Sequence, residues 1–154
     1  MSKPKKFQAY YQSPLGWLKV EGAGRALTSM DFVLKKPVKK IDAMPLPAQR
    51  QLDQYFRRER KKFSLRLMPI GTVFQKKVWN ALQTIPYGKK VAYREVATTI
   101  GCPQSVRAVA RAIGQNKFPI VIPCHRVIGS NGSLTGYAYG LKKKAWLLDH
   151  EQGL

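Results

Sequence analysis

Acidic residues are scarce in this chain: eight Asp and Glu stand against 28 Lys and Arg in 154 residues, a formal net charge of +20. A surface so lopsided repels itself, and its usual complement is a polyanion, nucleic acid well before an anionic membrane. Cysteine and histidine are scarcer still, with two of each. Two thiols and two imidazoles cannot furnish a structural zinc site without carboxylates, so no metal is expected. The basic start Met1-Ser2-Lys3-Pro4-Lys5-Lys6 has no apolar stretch behind it, so no secretion signal is expected. A Cys102–Cys124 disulfide is conceivable, but a reducing cytoplasm with both thiols free fits better. No apolar run approaches the roughly 20 residues of a membrane helix. Internal repeats are missing, and low complexity is confined to short lysine clusters.

What is present suffices for a core. The chain is 44% hydrophobic with three tryptophans, enough for one ordinary domain or two small ones. Charge locates no site, because residues 1–70 carry 16 basic and 5 acidic groups and residues 71–154 carry 12 and 3. The thin supply of acids in the second half makes Glu95, Asp149 and Glu151 conspicuous. Phe7–Tyr11, Trp17–Glu21 and Ala26–Val33 are rich in aromatic and β-branched residues, and turn residues separate them, so they predict a small antiparallel meander. Residues 35–47, with three prolines, predict a connecting loop. Ala48, Leu52, Tyr55 and Phe56 share a helical face, and Phe63, Leu65 and Leu67 alternate like a strand. A domain boundary is expected at Met68-Pro69-Ile70-Gly71.

The second half predicts helices. Thr72 and Gln75 have capping-box spacing ahead of a stripe of Phe74, Val78, Ala81, Leu82 and Ile85. Ala92, Val96 and Ile100 make a second stripe, ended by Gly101. A third helix, Gln104 to Gly114, carries Val106, Val109, Ala110 and Ile113 inward. Leu141 to Glu151 closes the chain with Leu141, Ala145 and Leu148 inward. The second and third helices, joined by a three-residue turn, have the dimensions of a helix-turn-helix. Its outward face would present Gln104, Arg107 and Arg111, with Ala108 and Ala112 keeping the surface low. An ordinary helical hairpin fits the pattern alone; the charge favours nucleic-acid contact.

Cys124 and His125 are adjacent in Ile122-Pro123-Cys124-His125-Arg126-Val127. A thiol attacks as thiolate, and with an ordinary pKa of about 8.5 it needs help at neutral pH. His125 and Arg126 are the neighbouring suppliers. Pro119 and Pro123 bracket a β-branched run, which predicts an extended segment delivering the thiol to a buried place. In such a segment neighbouring side chains point to opposite faces, so Cys124 and His125 need a bridging water or a bend after Pro123. The dipeptide alone leaves a small buried hydrophobe and a nucleophile both open.

The longer run from Gly114 to Val127 resembles the active-site signature of the O6-alkylguanine-DNA alkyltransferases. Pro86-Tyr87-Gly88, Tyr93, Arg107, Gly136-Tyr137 and Leu147-Leu148-Asp149-His150-Glu151 follow the family's order and spacing. The resemblance is strong over residues 72–151 and only architectural over residues 1–70. It implies an α/β (α+β) fold. Residues 1–70 would form an RNase H-like N-terminal domain, a small antiparallel sheet with a helix. Residues 71–154 would form a mostly helical catalytic and DNA-binding domain with the helix-turn-helix.

The resemblance also implies roles. Cys124 would be nucleophile and permanent acceptor of the alkyl group. His125 would take the thiol proton through a water, Glu151 would orient His125, and Asn116 would brace the loop. Tyr93, Tyr137 and backbone groups of Cys124, Val127 and Ala138 would hold the flipped guanine. Gln104, Arg107, Ala108 and Arg111 would face DNA in the minor groove, with Arg107 filling the vacated stack. Ala138 stands where many relatives have a polar residue, and Arg111 where some have a small one. The zinc ligands of some relatives have no counterpart, and Cys124 replaces the tryptophan of a non-catalytic subfamily. The expectation is a cytoplasmic, DNA-associated monomer, without cofactor or membrane contact, acting once on double-stranded DNA carrying O6-alkylguanine. Two rivals are a helix-turn-helix regulator with a sensing cysteine and a cysteine hydrolase.

Overall fold

The computed structural model describes residues 3–36 and 41–154, so residues 37–40 of the expected proline-rich loop lie outside the described residues. The chain divides into two compact units, Met1–Ile70 and Gly71–Leu154, in a mixed α/β architecture.

In the first unit β1 (Lys6–Ser13), β2 (Gly16–Ala23) and β3 (Ala26–Val33) form an antiparallel meander in the order β1-β2-β3. Ala9, Leu18, Val20, Leu27 and Met30 alternate onto one buried face. A bulge falls between Glu21 and Gly22. A side chain at Gly22 would collide with the Ala26 carbonyl and the Phe7 ring, so the bulge admits only glycine. Helix α1 (Leu46–Phe56) buries Ala48, Leu52 and Tyr55, and the Tyr11 hydroxyl donates to Asp53 at 2.7 Å. The strand expected around Phe63–Leu67 is reduced to a single bridge, Leu27 to Leu67. Its side chains do alternate in exposure. The Ser64 amide, however, turns to the side chain of Gln51 at 2.8 Å, which leaves too few backbone groups for a ladder.

In the second unit α2 (Val73–Leu82) opens with the expected capping box. Thr72 Oγ1 accepts from the Gln75 amide at 3.0 Å, and the Gln75 side chain accepts from the Thr72 amide at 2.8 Å. Then come β4 (Val91–Ala92), α3 (Tyr93–Thr99), α4 (Val106–Gly114), a 3₁₀ turn at Cys124–Arg126, β5 (Val127–Ile128) and α5 (Leu141–Glu151). β4 and β5 pair in parallel, which ties the residues after the Cys-His-Arg turn to the start of α3. Helices α3 and α4 form the helix-turn-helix, with Gly101 at φ +79° in the connection.

Three expectations change here. Helix α4 starts at Val106, so Gln104 lies in the connection, which is longer than three residues. Ala112 is buried, because Trp79 packs into the core and its Nε1 donates to the Ala112 carbonyl at 2.9 Å. On α5, Leu141 is 48% exposed, while Lys144, Leu147, Leu148 and Glu151 turn inward.

Trp79 is 1% exposed, with its only polar atom satisfied across two helices. Replacing it by Phe leaves a void and removes one of the two donors to the Ala112 carbonyl, the Gln115 amide remaining at 3.1 Å. Trp79→Phe should destabilise the protein by about 2–3 kcal/mol, read from thermal unfolding by circular dichroism; an unchanged transition would show that the indole is dispensable.

Candidate active site

The segment from Phe118 to Val127 is buried throughout, yet it is not extended. It is a chain of tight turns: Val121 N–H donates to Pro119 at 2.9 Å, Ile122 to Phe118 at 2.9 Å, Cys124 to Ile122 at 2.8 Å and Arg126 to Pro123 at 3.0 Å. Each proline restricts φ, so reversals replace a strand. Ile120 sits at φ +74°, a conformation that a β-branched residue adopts only when its surroundings impose it. Asn116 supplies part of that constraint. Its Oδ1 accepts from the Phe118 amide at 3.0 Å and its Nδ2 donates to the Ile122 carbonyl at 2.8 Å.

The turn after Pro123 sends consecutive side chains to separate partners. Cys124 is 8% exposed at the end of the loop. His125 is fully buried, and its Nε2 lies 2.7 Å from Glu151 Oε2. Arg126 turns to the same carboxylate, donating from Nε to Oε1 at 2.8 Å and from its second terminal nitrogen to Oε2 at 3.0 Å. Its remaining terminal nitrogen donates to the Ile85 carbonyl at 2.7 Å, and the Gly88 amide adds a bond to Glu151 at 3.3 Å. Arg126 is therefore not the cation that tunes the thiol, as the sequence suggested.

Burial pushes the Glu151 carboxyl upward, but hydrogen bonds and charge from His125 and Arg126 outweigh it and hold the group well below the usual carboxylate range. Burial drives the His125 pKa down, against the hydrogen bond to Glu151 that raises it. The imidazole is thus neutral at pH 7, with its proton on Nε2 facing the carboxylate. Nδ1 is left with its lone pair available; among the described residues it has no hydrogen-bond partner.

For Cys124, burial pushes the thiol up, while the Asn116 side chain and the charge of Lys144 pull it back. Lys144 was not anticipated. It is fully buried on the first turn of α5, its Nζ donates to the Thr135 carbonyl at 2.7 Å, and it lies 5.8 Å from the Tyr93 ring centre. Burial lowers its pKa, partly countered by Cys124. The signal was available in the helical period, since Lys144, Leu147, Leu148 and Glu151 stand at i, i+3, i+4 and i+7. An inward Glu151 requires an inward Lys144.

Next to the thiol lies a cleft of about 470 Å³ lined by Tyr93, Ala110, Gly114, Gly136, Tyr137 and Ala138. A cavity of about 10 Å³, shared by Cys124, Asn116, Tyr137 and Ala138, connects this region to the sulfur. The Tyr93 hydroxyl donates to the Thr135 carbonyl at 2.9 Å, and a side chain at Gly136 would crowd it. The Tyr137 hydroxyl is buried with no partner among the described residues, and burial raises its pKa strongly. Val127 is fully buried, and its amide is already bonded to the Cys124 carbonyl. Gln104, Arg107, Ala108 and Arg111 stand apart from the thiol, all exposed. Arg107, Ala110, Arg111 and Gly114 share one stripe of α4, whose small members line the cleft.

Comparison with known proteins matches both units. Residues 73–153 fit the family model described as the DNA binding domain of 6-O-methylguanine DNA methyltransferase, and residues 6–69 fit its ribonuclease-like domain. A Methanosarcina acetivorans methylated-DNA–protein-cysteine methyltransferase is 44% identical, covering 94% of this chain and 97% of that protein. A constitutive Bacillus subtilis protein of the same description is 52% identical over 68% of this chain and 64% of that protein. The solved O6-methylguanine methyltransferase of Mycobacterium tuberculosis superposes with a TM-score of 0.87 at 38% identity, over 97% of this chain and 94% of that one. A structure from the same organism in complex with DNA gives 0.85 at 41% identity, over 94% and 91%. With both units matched in order and nearly full-length relatives above 40% identity, the chain belongs to the 6-O-methylguanine DNA methyltransferase family.

Proposed function

We propose that this protein reverses guanine alkylation in double-stranded DNA directly, moving the alkyl group from O6 to Cys124 in a single irreversible turnover. The observation that carries the reading is a buried thiol beside an open cleft, with a neutral imidazole nearby whose protonated nitrogen is fixed on a carboxylate. His125 Nδ1 takes the thiol proton through a water, and Glu151 stabilises the resulting imidazolium. Cys124 Sγ attacks the alkyl carbon in line; the S–C bond forms as the C–O6 bond breaks and its electron pair goes to the guanine oxygen. The proton removed from the thiol is returned to the base, which leaves as ordinary guanine. Atoms and charge balance without a further reagent. A thioether has no leaving group that water displaces at a useful rate, so the acceptor is used once.

Lys144 supplies the buried positive charge for both anions on this path, first the thiolate and then the guanine oxygen as it develops. A stacked base cannot reach a buried sulfur, so the target nucleotide must rotate into the cleft at a cost of a few kcal/mol. In this reading Arg107 fills the gap, Tyr93 and Tyr137, which line the cleft, flank the base, and the backbone at Val127 and Ala138 meets its edges. The Mycobacterium tuberculosis relative solved in complex with DNA supports DNA as the partner. Among the described residues no helix is long and apolar enough to cross a membrane. We place the protein in the cytoplasm, acting as a monomer on DNA.

Incubation with a duplex containing O6-methylguanine, followed by peptide mass spectrometry, should give one methyl group per protein on Cys124 and restored guanine. Repeated turnover would mean hydrolysis, and an untouched lesion with sequence-specific binding would mean a regulator. Cys124→Ala should abolish transfer and retain binding to the damaged duplex.

Lys144→Met should slow transfer by about tenfold at pH 7 and shift the rising limb of the pH–rate profile upward, because the thiol loses the charge that holds its pKa down. An unshifted profile would remove Lys144 from this role.

Glu151 gives the fold a pH dependence whose sign follows from its depressed pKa. The stability it contributes is present above the ordinary glutamate value near 4.5 and is lost as pH falls towards the folded value. Glu151→Gln should cost about 3 kcal/mol at pH 7, because Arg126 loses its buried counterion. It should also flatten the loss of stability below about pH 5 seen in the parent protein. Urea midpoints measured between pH 7 and pH 3 test both, and parallel curves would refute the assignment.

A further inference from the structure

The chemistry at Cys124 makes no use of the charge on the first unit, where residues 1–70 carry 16 basic and 5 acidic groups. The densest stretch of that charge is Arg57-Arg58-Glu59-Arg60-Lys61-Lys62, immediately after α1. This turn is built rather than loose. The amides of Arg57, Arg58 and Glu59 donate to the carbonyls of Asp53, Tyr55 and Gln54 at 3.0, 3.0 and 2.8 Å. Arg60 then clamps the returning chain, donating from Nε to the Gln54 side chain at 2.8 Å and from a terminal nitrogen to the Lys62 carbonyl at 2.7 Å. With Arg60 committed to the clamp, Arg57, Arg58, Lys61 and Lys62 are exposed around it. The ion pair between Arg57 and Asp53 is long, at 3.9 Å.

Arg58 carries a second signal. Its φ of +62° lies in the left-handed region, which just after a helix is the usual place of glycine or asparagine. A long side chain there is disfavoured by the backbone, a cost that the surroundings or the side chain's own contacts must offset. Cations beyond a helix C-terminus also favour its dipole, but that effect fades within the last turn, and α1 has no basic residue in its last turn. Residues 57–62 contain none of the apolar anchors that form the core of a protein interface or insert into a membrane surface.

We infer that the turn at residues 57–62 is a second phosphate-binding surface, by which the first unit holds the backbone of duplex DNA without reading its sequence. Arg57, Arg58, Lys61 and Lys62 make the contacts, and Arg60 positions them. This presupposes that the protein acts on DNA, and it adds a contact outside the helix-turn-helix.

The test measures binding of the full chain to an undamaged duplex by fluorescence anisotropy over a range of salt concentrations. Each phosphate contact removed should make the slope of log K against log salt shallower by about 0.9. Arg57→Gln/Lys61→Gln/Lys62→Gln should therefore lose between about 2 and 3 from the slope. Lys3→Gln/Lys5→Gln/Lys6→Gln, which removes the same charge from another exposed stretch, should lose clearly less. Equal losses in the two triple variants would reduce the turn to bulk charge and overturn the inference, as would an unchanged slope. Arg58→Gly should cost about one contact of slope without lowering the melting temperature. A lower melting temperature with an unchanged slope would assign Arg58 to local packing and also overturn the inference. Transfer from a free O6-alkylguanine base should be unaltered in all three variants. Failure of transfer in the parent protein would defeat the repair reading, while the slopes would still decide the contact.

Discussion

The second unit depends on one buried carboxylate. Glu151 is held by Arg126 on both oxygens and by His125 on one, in a place where side chains are almost fully removed from water. An isolated charge there would be strongly unfavourable, and a lone Glu–His pair would settle by drawing a proton onto the imidazole. Burial of the imidazole opposes that outcome first, and Arg126 adds to it. Its permanent charge satisfies the carboxylate and, through the same field, opposes protonation of His125. The triad is therefore an ion pair plus a neutral base.

This arrangement explains why the chain turns so tightly around Cys124. Three consecutive side chains must face a cleft, a carboxylate and that same carboxylate from another side, and a strand offers only two faces. The 3₁₀ turn provides the third direction, and the preceding reversals at Pro119 and Pro123 bring the chain into it. Ile120 at positive φ is part of that path, stabilised by complete burial and by the Asn116 bonds on either side. The parallel pairing of β4 with β5 then sets the turn against the start of α3, where Tyr93 borders the cleft.

Much of the fold was legible because it rests on local pattern. The meander, the capping box of α2 and the bounds of α5 follow from alternation, side-chain chemistry and period, and the structure has them. The departures have one common cause, a distant partner that local pattern does not contain. The stretch from Phe63 to Leu67 alternates correctly but loses a backbone amide to Gln51, and Ala112 is covered by an indole from α2. The segment around Cys124 reads as extended from its β-branched residues, while its prolines and Asn116 fold it into turns. In the site, adjacency pointed to Cys124 and His125, and family resemblance pointed to Glu151, whose carboxylate the structure puts against His125. Lys144 was overlooked because the last of three consecutive lysines in a basic chain reads as solvent-facing.

That oversight is instructive, since Lys144 is the one charge of the site whose neutralising partner is not an acid. Glu151 answers Arg126, but among the described residues no carboxylate forms an ion pair with Lys144, which makes do with a backbone carbonyl and the face of Tyr93. A buried ammonium so placed is costly to the fold, and groups of this kind concentrate where charge appears during a reaction. In the proposed reaction the thiolate would neutralise it when Cys124 ionises, and the departing guanine oxygen would do so when the sulfur is capped. The resting protein thus keeps a protonated thiol within the field of a buried cation that no carboxylate among the described residues pairs with. In that reading the positive charge covering the exterior gathers the polyanion, and the enclosed charge of Lys144, the buried cation that Glu151 does not hold, favours the two small anions of the transfer.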